Sequence, residues 1–207
     1  MSNLSDSMRE RVMFVERRTL ETATPLPQGF LPSAEDIYAL ILSNHAYETR
    51  FELENDPSRK QPIPYVVVSS ERGIFCMARK SAQTEARLHG KLSIGVGGHI
   101  SEESEFGQTD AIESGMWREL HEELHINGAQ SCRFRGVLND DSNEVGQVHI
   151  GLVFTVLAEA DQVSVRETEK MEGFWISLEE LSREKARLES WSALLLQTLP
   201  EWVSEAE

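Results

Sequence analysis

Gly97-Gly98-His99-Ile100, then a polar segment, then Arg118-Glu119-Leu120-His121-Glu122-Glu123-Leu124 form the stretch on which the reading of this chain turns. Three carboxylates fall within five residues. At roughly 100° per helical residue, Glu122 and Glu123 lie about 60° to one side and about 40° to the other of Glu119, so all three project from one helix face. Like charges at these spacings destabilise an isolated helix by roughly a few tenths of a kcal/mol per pair. A divalent cation reverses that sign, and clustered carboxylate oxygens suit Mg2+ or Mn2+. A solvated acidic face is the competing reading. The attached glycine pair and arginine favour the metal.

Behind Gly97-Gly98, the run Arg118-Glu119-Leu120-x-Glu122-Glu123 resembles the Nudix hydrolase box, written G-x5-E-x7-R-E-U-x-E-E-x-G-U. Its C-terminal half matches except that His125 stands where the family usually has glycine. The N-terminal half departs further. Gly98 precedes Arg118 by twenty positions where the pattern has fourteen, so six residues are inserted. The box glutamate falls on Asp110 counted back from the arginine, and on Ser104 counted forward from Gly98. The inserted residues 101–109 read as a polar loop. Thr109 or Asp110 is placed to cap the following helix through a side-chain oxygen.

That helix is expected from about Ala111 to His125, with Met116, Leu120 and Leu124 as its apolar stripe. Gly115 lies inside it, where glycine costs about 1 kcal/mol against alanine. Two readings of Gly115 stand side by side: room for metal, phosphate or the Gly97-Gly98 backbone, and close packing against a neighbouring strand.

Composition bounds the function. The 207 residues suit one domain with an elaboration, and 40% hydrophobic residues supply a sizeable core. A net charge of −15 argues against general nucleic-acid binding, which depends on neutralising phosphates. No run approaches the ~20 apolar residues of a membrane span, and the first residues lack a signal peptide's apolar segment. The two cysteines, Cys76 and Cys132, form no CxxC or zinc-type group. The expectation is a cytoplasmic protein with reduced, buried thiols, without nucleic-acid or membrane partners.

Along the chain, Val12–Val15 reads as a short strand, and Ser33-Ala34-Glu35-Asp36 as a capped helix start. Residues 54–64 are turn-rich and read as loop. Tyr65–Ser69 and Gly73–Arg79 form a predicted hairpin. Further strands are expected at Lys91–Val96, Phe134–Leu138, Gln147–Ala158 and Gly173–Ser177, with helices from Leu178 and over Leu188–Leu199. Mixed strands with interspersed helices point to an α/β class (α+β). The resemblance, which covers about residues 63–185, implies a Nudix-type α/β/α sandwich with a mixed sheet. The domain organisation expected is an N-terminal extension over 1–62, packed on a Nudix domain over 63–207.

The resemblance also implies the chemistry: Mg2+-dependent hydrolysis of a diphosphate bond in a nucleoside diphosphate-linked or related organic diphosphate. Carried over by the motif, Glu119 and Glu123 are metal ligands, and Glu122 is a third ligand or the general base. The Gly97 carbonyl is a further ligand, and Arg118 orients one of the glutamates. Glu144, Glu169 and Glu172 compete for the base role from later loops. Arg79, Lys80, Arg87 and His89 could gather cations toward substrate phosphates, with Arg87 first; Gly98 and His99 lie beside the same site. Trp117 and Trp175 read as core. Two other functions share the fold, an isoprenoid-diphosphate isomerase and a catalytically silent ligand-binding module. A homodimer is a family-level expectation, and specificity is sought in the first sixty residues and the inserted loop.

Overall fold

The strand Arg59–Ser70 spans twelve residues, and its first half replaces the loop expected over 54–64. Pro62 and Pro64 prompted that expectation, since each lacks an amide donor. Two residues apart in a pleated chain, they lose donors on the same edge of the strand and leave the other edge able to pair. Burial is continuous from Lys60 to Ser70, so the side chains favour an extended segment that the prolines only half impair.

The computed structural model describes residues 5–22, 25–80, 90–105, 110–128 and 131–204. The fold is mixed α+β, with a large mixed sheet and several helices. Two compact units interleave along the sequence: Met1–Pro64, Gly97–Arg118 and Arg135–Val153 make one, and Tyr65–Val96, Glu119–Phe134 and Phe154–Glu207 the other.

In the first unit, strand Arg11–Glu16 pairs antiparallel with Ala46–Thr49, Arg11 opposite Thr49, and through Val15 with Lys60. Met13 N–H also donates to the Ile100 carbonyl at 2.8 Å. The early residues are thus built into the same unit as the segment after the glycine pair. Val12, Val15, Ile41, Leu53, Ile100, Ile112 and Met116 are buried there. The helix Glu35–Asn44 begins where the sequence places it, but its N-cap is Ala34 and makes no side-chain cap bond.

Lys60 is the unusual core residue of this unit, wholly buried. Its ammonium donates to Asn139 Oδ1, Asp141 Oδ1 and the Gly146 carbonyl, each at 2.8 Å, and to the His149 carbonyl at 3.1 Å. Burial lowers its pKa below the ordinary value, and the Asp141 carboxylate opposes that shift. Arg17 also pairs with Asp141. One cation therefore gathers the loop 139–141, the short helix Glu144–Val148 and the head of strand His149–Leu157. Sequence reading had run that last strand from Gln147; its first two residues close the helix instead.

In the second unit, strand Gly73–Arg79 is flanked by Met171–Ile176, with Arg79 opposite Met171, and by Leu92–Ser93. The predicted hairpin is present, Ser69 facing Ile74 and Ser70 facing Gly73. The expected strand 91–96 is two short pieces, Leu92–Ser93 and Gly95–Gly97. Helix Leu178–Arg183 starts on a reciprocal capping box between Ser177 and Glu180. The single C-terminal helix expected is two, Ser190–Leu195 and Leu199–Ser204. The Cys76 thiol is buried and pushed up to about 12 by loss of solvent, so it is inert; Cys132 is only half-buried.

Lys60→Met removes the donor but leaves three buried carbonyl or amide oxygens behind. Unpaired buried acceptors cost about 1–3 kcal/mol each, so the expected loss in urea unfolding is on the order of 3 kcal/mol. A loss below about 1 kcal/mol would show that water replaces the ammonium without strain.

Candidate active site

The glutamate helix runs from Ala111 to Glu123, two residues short of the end expected from sequence. Leu124–Ile126 leaves the helix to pair antiparallel with Val163–Val165, placing His125 opposite Ser164. Arg166 closes the helix end, its N–H reaching the Glu123 carbonyl at 2.9 Å and its Nε the Leu124 carbonyl at 3.2 Å. A strand partner thus terminates the helix where the family pattern has glycine. A cation beside the last carbonyls also complements the helix dipole.

At the other end, Asp110 Oδ1 accepts from the N–H groups of Ile112 and Glu113 at 2.9 and 3.0 Å, as an N-cap. Its second oxygen accepts from the Tyr38 hydroxyl at 2.8 Å. The residue in the box-glutamate slot, counted back from the arginine, is therefore a structural cap. The counted-forward alternative, Ser104, lies in the short helix Glu102–Glu105.

Ile112, Met116 and Leu120 are wholly buried, and Leu124 continues their line into the strand. Gly115 belongs to the packing: a Cβ there would meet the Ile100 side chain at 3.0–3.1 Å. Of its two sequence readings, close packing is the one observed. Gly97 owes its identity to close packing as well. It ends a strand with no positive φ, and a Cβ would stand 2.4 Å from the Pro64 carbonyl oxygen. Backbone approach, not a left-handed turn, requires glycine here.

Glu119 is half-buried, while Glu122 and Glu123 are exposed. The Glu123 carboxyl is pushed up to about 7, first by loss of solvent and next by the charge of Glu119; Glu167 and Glu189 add to this, and Arg79 opposes it. Because the residue as a whole remains exposed, solvent softens the first of these effects, and the crowding of like charge carries the direction. Arg79 is itself held by Glu189, Nε to Oε1 at 3.1 Å. Sequence reading missed Glu167 and Glu189, which no motif marks. The Arg166–Glu123 bond brings the first into range, and the Glu189 N–H bond to the Leu92 carbonyl, 2.9 Å, fixes the second. Three carboxylates and no soft donor suit a hard divalent cation such as Mg2+.

The other candidates are distributed as follows. Arg118 donates Nη2–H to the His99 carbonyl at 2.7 Å, a bond that holds the backbone beside Gly98. His99 turns its ring to His149, Nε2 to Nε2 at 3.1 Å. Burial, then the charges of Arg50, His149 and Arg118, hold its imidazole well below the ordinary value. Glu144 is exposed in the first turn of helix Glu144–Val148, and Glu169 and Glu172 are exposed too. Lys80 donates to the Thr168 carbonyl at 2.8 Å. Trp117 and Trp175 are half-buried, not core. Arg87 and His89 lie outside the described residues.

The NUDIX domain model matches residues 59–199 of this sequence. The chain belongs to the Nudix hydrolase family. A relative, Protein YmaB of Bacillus subtilis (strain 168), is 39% identical over 170 residues, spanning 79% of this chain and 82% of that protein. The crystal structure of Tm1382, a putative Nudix hydrolase, superposes with a TM-score of 0.82 at 28% identity, covering 93% of this chain and all of the other. The Nudix domain of Shewanella oneidensis NrtR, complexed with ADP ribose, shares the fold at a TM-score of 0.53 and 14% identity, over 70% of this chain and 88% of that one. Among the described residues, no helix is long and apolar enough to cross a membrane.

Two predictions follow from this geometry. Asp110→Ala should cost about 1 kcal/mol of stability through the lost cap, Asp110→Asn much less, and neither should change Mg2+ affinity; weakened Mg2+ binding would make Asp110 a ligand after all. For Glu123, a raised carboxyl pKa means that its favourable contribution is full below the ordinary 4.5 and is lost as pH rises through about 7. In chelator, the melting temperature should therefore fall over that window, and Glu123→Gln should flatten the fall. An undiminished fall in the variant would place the titration elsewhere.

Proposed function

We propose that this chain hydrolyses the diphosphate bond of a nucleoside diphosphate-linked or related organic diphosphate, with Mg2+ or Mn2+ held by Glu119, Glu123 and the Gly97 carbonyl, and with Glu122 as the general base or, in the alternative, a third ligand. The observation that carries the reading is the charge-crowded pair Glu119 and Glu123 on the last turns of one helix, directly after Arg118 in the family box. A divalent cation bound by these carboxylates would offset that repulsion. Retention of all three glutamates also weighs against a silent module.

The chemical difficulty is attack by water on phosphorus ringed with negative oxygens. When bound, the metal neutralises those oxygens and acidifies a water. The chain's own residues do the rest. Glu122, exposed on the same helix face, takes the proton of the attacking water. Glu144 is the second carboxylate proposed for that step. Arg118 fixes the backbone at His99, and through it the Gly98 segment that meets the phosphates. Arg87 supplies positive charge to the substrate. ADP ribose, which the NrtR domain binds, is a compound of the class and a natural first candidate.

Purified protein with Mg2+ and a panel of nucleoside diphosphate compounds tests the reading. Turnover should disappear in chelator, and Glu123→Gln should lower kcat/KM by at least ~100-fold with the fold retained. Glu122→Gln should lower kcat more than Glu144→Gln; the reverse order would assign the base to Glu144. Binding without turnover in Mg2+ and Mn2+ alike would overturn the proposal.

A further inference from the structure

A second group of metal-type donors lies in the first unit. The ligand atoms of Glu54, His99 and His149 all fall within 4.8 Å of one another. They come from three separated segments: Glu54 follows the short helix Arg50–Leu53, His99 follows the glycine pair, and His149 heads strand His149–Leu157. The chemistry differs from that of the glutamate helix. Two imidazoles with one carboxylate favour a borderline transition ion, whereas three carboxylates favour Mg2+.

The hydrogen bonds fix how the rings are presented. His149 Nδ1 lies 2.7 Å from the Val145 carbonyl oxygen. A carbonyl only accepts, so Nδ1 carries the proton, and the neutral ring turns the lone pair of Nε2 toward His99. An outer N–H bonded to a backbone carbonyl, with the inner nitrogen bare, is how metal-bound histidines are oriented. The two Nε2 atoms are 3.1 Å apart. A tetrahedral ion with bonds of about 2.0–2.1 Å to imidazole sets two such nitrogens about 3.3 Å apart, so a small ring movement admits it. In the metal-free chain the contact is a hydrogen bond from His99 Nε2–H to His149. Metal entry moves that proton to His99 Nδ1, with no change of charge on the ring.

The remaining donors are also positioned. Glu54 Oε1 accepts from Arg50 Nε at 2.7 Å, and a carboxylate has a second oxygen, so that pairing does not consume the group. The guanidinium opposes a cation, and the Glu54 charge offsets it. Lys60 bonds the His149 carbonyl and Arg118 the His99 carbonyl, holding the backbone of both histidines. We propose that Glu54, His99 and His149 bind one divalent transition-metal ion of the Zn2+ type, which clamps the segment after the glycine pair to two other segments of its unit. Its donors are distinct from the helix glutamates, and its test does not read activity.

Full-length protein, stripped with chelator and saturated with Mg2+, is titrated with Zn2+ by calorimetry. The expected result is one Zn2+ per chain, with a rise in melting temperature. Glu54→Gln and His149→Gln should each weaken it by more than ~10-fold, the scale on which even indirect perturbation of a ligand acts. A Glu119→Gln/Glu123→Gln double variant should keep the site. On the unaltered chain, Zn2+ should shift the imidazole 15N resonances of His99 and His149, a readout that needs no variant to fold. Unmoved imidazole signals, or zinc binding lost with the helix glutamates and kept in His149→Gln, would overturn the assignment.

Discussion

Repulsion among carboxylates on one short helix face is the constraint around which the second unit is organised. Glu119 and Glu123 stand one turn apart, and Glu167 and Glu189 add negative charge from other segments. A fold that tolerates this crowding without a cation keeps a proton on Glu123 into the neutral range. Arg79, the cation that opposes the shift, is shared with Glu189. The rest of the helix serves to aim that face. Asp110 caps its start, Ile112, Met116 and Leu120 bury the flank beside it, and Arg166 ends it.

Much of this was legible in the sequence, for physical reasons that differ by element. That the three glutamates share one helix face follows from helical spacing; their metal-binding role is what the family resemblance implies. The Tyr65–Arg79 hairpin follows from a β-branched run and a second apolar run joined through Glu71-Arg72-Gly73. A cap at Thr109 or Asp110 follows from their place before an apolar-periodic segment, and the structure selects Asp110. What failed was set by distant partners. Residues 59–64 read as loop because prolines are local signals, whereas Lys60 and its four acceptors lie far apart in sequence. The helix ended early because Val163–Val165 takes Leu124–Ile126 as a strand partner, and no pattern within the helix announces it.

The candidate site was read in the same uneven way. The glutamates and arginine came from a motif, but the reason for each glycine did not. Gly97 answers to the Pro64 carbonyl and Gly115 to the Ile100 side chain, contacts that a spacing rule cannot supply. His99 was seen as a residue next to a glycine pair. Its partner, His149, is fifty residues away and lies at a helix-to-strand junction that the sequence reading had drawn as continuous strand. The early residues pair with Ile100 and Lys60 and share their unit's core, contacts that no local pattern in those residues announces.

Crystals grown with Mn2+ in place of Mg2+, and measured at the manganese edge, probe the cation on the glutamate helix most directly. The account predicts an anomalous peak in bonding contact with the carboxylates of Glu119 and Glu123. Well-ordered carboxylates at those positions with no peak beside them, in protein that still cleaves diphosphates under the same conditions, would contradict it.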